Sequence, residues 1–484
     1  MIALEEYEIP HGWTLTRLSE DLIVDIQPGF ACGKNTRDGR GIPHLRPMNV
    51  TDKGEINLTD LKFVPESECN KSEKFVQNGD ILFNNTNSPD LVGKTAYYDL
   101  QDPRAFSNHM TRLRCNIGII DPKFCAMYIH QKWREGYFKT VCNNHVSQSS
   151  VSRNILLETP VLLPPLSEQH RIVARIEALL SQVNAARDRL NRVPPIMKRF
   201  RQTVLAAACS GRLTEGWREE NLDFEINRCN IEKILENRRK KWIINQKPKK
   251  YQEPLSLENE DLPELPLLWL WASIDQIAST EPHSIQSGPF GSNLLHSEFQ
   301  ETGILAIGID NVLEGRFSLG KQHRISPKKY EELKKYSARP LDVLITVMAT
   351  IGRCCVVPTE LENAIITKHV YRITGDKEII DPFFLLFPLM GDPSFYTYIH
   401  SQIRGQTRPG INGEILKRAP IPLPPLEEQH EIVRRVNALF ALADQIEQQV
   451  ADATKRTEAL TQAVLAKAFR GELVEREVDI AQNL

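Results

Sequence analysis

The sequence predicts a mixed α/β (α+β) chain made of two similar halves. Each half is a globular domain followed by a long helix, and the two helices pair as an antiparallel coiled coil about a pseudo-two-fold axis. Three observations predict this. The stretch Leu163 to Leu213 recurs without a gap as Leu423 to Leu473, a constant offset of 260 residues (423 − 163). The first copy carries apolar residues at alternating steps of four and three, the pattern of a heptad stripe: Ile172, Ile176, Leu179, Val183, Ala186, Leu190, Val193, Met197, Phe200 and Val204; their partners 260 residues on, apolar except for one threonine, are Ile432, Val436, Leu439, Ala443, Ile446, Val450, Ala453, Thr457, Leu460 and Val464. The segments between the helices repeat as well, more loosely.

Taken in order, residues 1–162 form the first globular domain. Pro10-His11-Gly12-Trp13 introduces it, as Pro266-Leu267-Leu268-Trp269 introduces the second, residues 263–422. Each then shows a Gly/Phe loop (Gly29, Phe30, Gly33; Gly288, Phe290, Gly291), an Asn-Val pair (Asn49-Val50; Asn311-Val312) and an Asp heading a β-rich run (Asp80 to Phe83; Asp342 to Ile345). Farther on the offset returns to 260: His109 and Arg112 match His369 and Arg372, and Asp121-Pro122 matches Asp381-Pro382. Short β-type runs separated by Gly, Asn, Asp and Pro turns, with helices after each Asp-Pro, read as α/β domains.

The helical regions are 163–215 and 423–475, followed by a tail, 476–484. Their Pro-Pro pairs suit a chain turning into a helix, which places the starts near Ser167 and Glu427. Gly211 and Gly471 suit the left-handed residue after a helix end. Pro194-Pro195 interrupts only the first copy and predicts a kink or break there. Residues 216–262 are polar and unrepeated and read as a linker, with a short helix at Ile231 to Trp242. At 1.5 Å per residue the span from Ile172 to Val204 is roughly 50 Å. A second helix running back along the first buries both seams and makes the pair a ruler. The plainer outcome of such heptads is a homodimeric coiled coil.

Composition is that of an ordinary soluble globular protein: 484 residues, 41% apolar and 25% charged. No stretch reaches the roughly 20 apolar residues of a membrane span, and the N-terminus is acidic rather than signal-like, so no membrane is expected. Nine scattered cysteines without a CxxC favour a reduced, cytoplasmic chain with no zinc site. Net charge is −2, but residues 163–262 hold 19 Lys/Arg against 14 Asp/Glu (19 − 14 = +5), so any DNA surface is a sorted local face.

Enzyme motifs are missing. Asp381-Pro382-Phe383-Phe384 faintly echoes an amino-methyltransferase motif, but its repeat, Asp121-Pro122-Lys123-Phe124, favours a helix start. Pro89-Asp90 opens no nuclease motif, and neither GxxxxGK nor a GxGxxG after a strand occurs. His109 and His369 have no companions at metal-ligand spacing. The sequence offers no catalytic site and no metal site.

The two Leu-Pro-Pro-Leu-x-Glu-Gln-His openings, at Leu163 to His170 and Leu423 to His430, combine with Ile196 to Gln202, Leu213-Thr214-Glu215, Leu460-Thr461-Gln462, Gly471-Glu472-Leu473 and Leu262 to Pro266 ahead of Trp269. Together they closely resemble the specificity subunit of type I restriction-modification systems, from Trp13 to about Glu475. That resemblance implies two target recognition domains, each reading one half of an asymmetric, interrupted site in double-stranded DNA, and an antiparallel helical spacer. It implies two modification (methyltransferase) subunits that bind S-adenosylmethionine and methylate adenine N6, and two restriction (translocase/nuclease) subunits that use ATP and Mg. It places no cofactor in this chain and makes the subunit non-catalytic on its own. Leu267-Leu268, where the first domain has His11-Gly12, departs from the repeat.

Reading bases requires donors and acceptors on loops of a rigid domain. The candidates in the first domain are Lys34, Arg37 and Arg40; Asn84, Asn85 and Asn87 with Lys94; and Asn143, Asn144 and His145 running to Gln148 and Arg153. In the second they are Ser292 and Asn293; Arg353; and Arg404 with Gln406, Arg408 and Asn412. Arg187, Arg192, Lys198, Arg199 and Arg201 on the first helix are candidates for phosphates across the spacer. The competing readings are a coiled-coil adaptor whose end domains bind proteins, and a self-contained methyltransferase or nuclease.

Overall fold

A computed structural model describes residues 9–69, 75–144, 148–221, 230–244, 251–257, 261–320, 322–403, 410–476 and 479. The chain divides into two compact units, 1–191 with 451–484, and 192–450. In each unit the same elements recur in the same order. An antiparallel four-stranded sheet runs Ile23–Pro28, Met110–Cys115, Ile81–Asn84, Thr95–Tyr97 in the first, and Ile285–Ser287, Val370–Ile373, Val343–Thr346, Cys354–Val356 in the second. A second four-stranded sheet runs Lys62–Val64, Ile42–Leu45, Arg104–Phe106, Phe75–Val76, matched by His323–Ile325, Ile304–Ile307, Ala364–Ile366, Ser337–Ala338. Its central pair is parallel in both units. The mixed α/β class is therefore present twice.

A buried cation joins the two sheets in each unit. Arg112 is 1% exposed; its guanidinium donates to Asp25 Oδ2 at 2.6 Å and to the Phe75 carbonyl at 2.6 Å, with Asp80 4.0 Å away. Arg372 donates to the Ser337 and His283 carbonyls beside Asp342. Burial pushes the Asp342 carboxyl up and the Arg372 guanidinium down. The repeated Asp-Pro pairs are helix starts: Asp121 Oδ1 accepts from Phe124 N at 2.8 Å, and Asp381 Oδ1 from Phe383 N and Phe384 N.

Among the described residues four longer helices lie outside the sheet domains proper, besides a short one at Glu215–Glu220: α1 (Leu166–Asn191), α2 (Val193–Cys209), α3 (Ile231–Ile244) and α4 (Leu426–Ala468). The expected break falls between α1 and α2, with prolines taking the first turn of α2, where their missing N–H costs nothing. Gly211 and Gly471 adopt φ of 74° and 72° after the helix ends. Along the stripes Ile172, Ile176, Val183, Val204, Ile432, Val436, Ala443 and Val464 are buried. Leu460 is a correction: it is 50% exposed, whereas Leu465 and Ala468 are buried. The stripe is buried again at Val464, so the exposure is local to Leu460.

Each unit packs the start of one long helix with the end of the other. In the first, Ile172, Val173 and Ile176 share a core with Val464, Leu465, Ala468 and Phe469, and Phe469 meets Phe124 and Tyr128 edge-on at 5.6 and 5.2 Å. In the second, Ile432 and Val436 share a core with Val204, Leu205, Ala208 and Cys209. Arg435 donates to the Leu213 carbonyl while Arg201 pairs with Asp444, so these segments run antiparallel.

The Glu-Gln-His motif fastens each helix start to its domain. Trp13 Nε1 donates to Glu168 Oε1 at 2.8 Å, and Trp269 Nε1 donates to Glu428 Oε2 at 2.8 Å. Gln169 accepts from Asp121 N and donates to the carbonyls of Ile119 and Pro164; Gln429 does the same with Asp381, Ile379 and Pro424. His170 and His430 lie 3.5 and 3.6 Å from Asp121 and Asp381. Within 216–262 the helix expected at Ile231 to Trp242 is α3, and the linker reading is corrected in that this helix is docked. Ile231 and Ile234 pack on the core of the second unit, Arg238 donates to the Ala278 carbonyl, and Lys241 bridges Asp376 and Glu378 at 2.8 Å.

Two buried groups tie this packing to measurable stability. Glu428 is fully buried and receives Trp269, Thr214 and Arg218. Glu428→Ala leaves an indole N–H without a partner and the Arg218 charge without its carboxylate, although Arg218 keeps the Gly211 carbonyl and the Thr214 hydroxyl, and about 3 kcal/mol of stability is lost; an unchanged denaturation midpoint would refute the role of this contact. His130 is buried, with Nε2 on the Asp52 carbonyl at 3.1 Å and Nδ1 facing Thr95 N at 3.4 Å, and burial lowers its pKa to about 4. The folded state therefore holds the neutral ring. Its contribution is complete above the unfolded value of about 6.5 and is lost as pH falls toward 4, about 3 kcal/mol in all. Unfolding midpoints measured from pH 7.5 to 4.5 show a slope that His130→Gln reduces; parallel curves for the two proteins contradict this.

Candidate nucleic-acid interface

At one end of the first sheet in each unit, four loops are tied together by the same backbone bonds. In the first unit Gly29 N donates to Met110 O (2.9 Å), Asn85 N to His109 O (3.1 Å) and Val151 N to Asn85 O (2.8 Å). In the second Gly288 N donates to Val370 O (3.2 Å), Val347 N to His369 O (3.0 Å) and Ile411 N to Val347 O (3.1 Å). The glycines are required by closeness: a Cβ on Gly29 would lie 2.2 Å from the Ser107 carbonyl oxygen, and one on Gly288 2.2 Å from the Thr367 carbonyl carbon. Each unit thus presents a rigid cluster of loop tips, the arrangement direct readout needs.

The structure sorts the sequence candidates by what their side chains already do. Thr86–Asn87, Ser149–Ser150 and Asn143–Asn144 pair into a three-stranded sheet, which unites Asn87, Asn143, Asn144 and Gln148 on the loop cluster of the first unit. Asn143, Asn144 and Gln148 are exposed, whereas Asn87 is half-buried. Asn144 Oδ1 accepts from Ser149 Oγ and Asn87 Oδ1 from Ser88 N. Asn143 and Gln148 have no side-chain hydrogen bond among the described residues. His145, Arg404, Gln406 and Arg408 lie outside the described residues.

Several candidates are corrected. Asn84 is fully buried and donates to the Pro47 carbonyl. Lys94 is 7% exposed, pairs with Asp52 at 2.8 Å and sits over the Trp133 ring, holding the Asp52 carboxyl below its ordinary range. Asn85 is engaged with Thr111 Oγ1 and the Asn108 carbonyl, and Asn412 caps a short helix by accepting from Glu414 N and Ile415 N. Asn84, Asn85 and Lys94 thus hold the loops together from within, whereas Asn412 stays exposed while its Oδ1 serves the cap.

Lys34, Arg37 and Arg40 are exposed but belong to a different place. Their loop bridges to Phe63, and the side chains lie 4.0 Å from Glu68, 3.7 Å from Asp60 and 3.7 Å from Asp38. Arg153 pairs with Glu20 at 2.9 Å. In the second unit Ser292 and Asn293 are exposed on the Gly288 loop, and Arg353 is exposed at the end of a turn. Two residues absent from the sequence candidates join the clusters: Asn108 and Lys368, both exposed beside His109 and His369. They are separated by the same offset (368 − 108 = 260), which was the available signal.

Of the helix cations, Arg192, Lys198 and Arg199 are exposed. Arg187 donates to Asn184. Arg201 is withdrawn from the phosphate set, since it pairs with Asp444 (2.7 Å) and Glu447 (3.1 Å) and stacks over Phe440. No group of three metal-ligating side chains occurs among the described residues, and no helix there is long and apolar enough to cross a membrane.

Comparison with known proteins bears on the same features. A family model described as the type I restriction modification DNA specificity domain matches residues 12–194 and 307–455. The chain is 32% identical to the type I restriction enzyme EcoBI specificity subunit of Escherichia coli, over 94% of this chain and 86% of that one. It is 27% identical to the EcoKI specificity subunit of Escherichia coli strain K12, over 96% and 90%. Among solved structures, a chain from a study of complex assembly and conformational transition of the type I R-M system superposes with a TM-score of 0.67 at 21% identity, covering 96% of this chain and all of that one. The HsdS subunit of Thermoanaerobacter tengcongensis superposes at 0.57 with 20% identity, covering 96% and 99%. Two loop clusters on a duplicated frame, matched by family model and by relatives along nearly the whole length, make this chain a member of the type I restriction-modification DNA specificity family.

Proposed function

We propose that the chain is the sequence-reading subunit of a type I restriction-modification complex. The domain spanning 1–162 and the domain spanning 263–422 each read one half of an asymmetric, interrupted site in double-stranded DNA. The helical regions 163–215 and 423–475 form the antiparallel spacer: α4 alone is 43 residues, roughly 65 Å at 1.5 Å per residue. The helices dock two modification (methyltransferase) subunits, and two restriction subunits complete the assembly in the cytoplasm. S-adenosylmethionine, ATP and Mg belong to those partners, and this chain contributes recognition without catalysis.

One observation carries the reading. The same loop cluster is tied by the same backbone bonds in both units, yet displays different side chains: amides at Asn143 and Gln148 in one, Arg353, Lys368 and Asn293 in the other. A common frame with different readout groups is what an asymmetric bipartite site requires. Exposed Arg192, Lys198 and Arg199 suit sequence-independent phosphate contacts across the unread gap.

Co-expression with a type I modification subunit, followed by single-molecule mapping of N6-methyladenine on the host genome, tests the reading. The expected result is one interrupted motif with two fixed halves. A stable complex that methylates no defined motif would contradict it and favour a protein-binding adaptor.

A further inference from the structure

The turn that joins the second and third sequence strands of the main sheet is built alike in both units, and one position in it has opposite surroundings. In the first unit Asn84 N donates to the Lys94 carbonyl (2.9 Å) and Gly93 N to the Asn84 carbonyl (2.8 Å). In the second Thr346 N donates to the Arg353 carbonyl (2.8 Å) and Gly352 N to the Thr346 carbonyl (2.9 Å). Gly93 and Gly352 both take left-handed φ, 97° and 89°. Lys94 and Arg353 are therefore the same residue of the frame.

Their environments differ completely. Lys94 is buried on Asp52, and a Cβ on the preceding Gly93 would strike the Phe138 ring at 2.4 Å, so that turn lies flat on the domain. Around Gly352 nothing lies within 4 Å of such an atom, and Arg353 is exposed with no carboxylate within 4.0 Å among the described residues. The turn that presents it is nonetheless closed. Thr346 is fully buried; its hydroxyl donates to the Thr350 carbonyl and accepts from Arg353 N at 3.1 Å, and Ala349 is held at φ 63°. A non-glycine residue in that region costs about 1 kcal/mol or more and persists where the surroundings impose it.

We infer that Arg353 is a base-reading residue of the second unit and that its partner is a guanine in that unit's half-site. A guanidinium offers two parallel donors in a fixed plane, matched to O6 and N7 of guanine in the major groove. A phosphate contact asks for charge alone, and exposed Lys368, on the loop bonded to the same turn through Val347 N and His369 O, supplies that charge. Because Lys94 is consumed internally, the first unit has no such fork at the equivalent position. Its half-site is read without a guanine contact there.

The inference rests on the half-site reading, and its test separates the two. The wild-type complex is mapped first; absence of any motif defeats the half-site reading itself. With a motif in hand, Arg353→Gln is expected to relax or change one G·C position in one half, leaving the other half intact, and Arg353→Lys to keep the guanine with weaker methylation. Binding of the wild-type complex to duplexes carrying 7-deazaguanine at each guanine in turn is expected to fall about ten- to a hundredfold at one position. This second measurement does not depend on how any variant folds. An unchanged motif in Arg353→Gln, a uniform weakening at all sites with the motif preserved, or no sensitive position among the 7-deazaguanine duplexes overturns the assignment.

Discussion

The structure depends on a buried carboxylate that must not be left alone. Glu168 and Glu428 lie at the first turn of a long helix, inside the protein, and each is held by the indole N–H of a tryptophan that opens its domain. Burial without such partners costs far more than the pair returns, so the helix start, the opening strand and the tryptophan are obliged to meet. The neighbouring glutamine removes the remaining freedom. Its amide satisfies a proline carbonyl at the helix start, a carbonyl at residue 119 or 379 and the N–H of the Asp that caps the next helix. Three bonds from one side chain fix the angle between helix and domain, and they are made identically in both units.

The two copies nevertheless differ at individual positions of this frame. Gly391 allows its helix to approach α2 so closely that a Cβ would lie 2.4 Å from that of Leu205. The first unit has Gln131 there, facing a groove with Phe469 and Arg470. Gly79 takes the left-handed turn before Asp80, whereas Leu341 is forced into it before Asp342. Lys94 and Arg353 make the same point at the loop tips. The backbone bonds and the buried Arg112 and Arg372 contacts are kept in both units while these residues differ.

Much of this was legible in the sequence because it is encoded by repetition. The offset of 260 placed both long helices, both Asp-Pro caps, and the glycines at 211 and 471, each of which depends on local backbone chemistry. Periodicity does not fix burial at every position: Leu460 keeps the heptad count yet is exposed, while Val464, next on the stripe, is buried. At the loops, residue type alone misled. Asn84 and Lys94 look like readers in sequence, but their partners at Pro47 and Asp52 are far away in the chain and visible only once folded. The basic run of α3 is likewise answered only after folding: Lys241 meets Asp376 and Glu378, Arg239 meets Glu253, and Arg238 meets the Ala278 carbonyl. Conversely Asn108 and Lys368, ordinary in sequence, gain interest from the loops beside them.

On the proposed function recognition is modular: each unit reads its own half-site on a shared frame. Replacing residues 14–162 by the corresponding stretch of another family member with a known motif, then mapping methylation by the reassembled complex, tests it most directly. The expected result is that one half of the motif changes to that of the donor while the other half and the gap stay the same. A change in both halves, or a changed gap with neither half replaced, would contradict it.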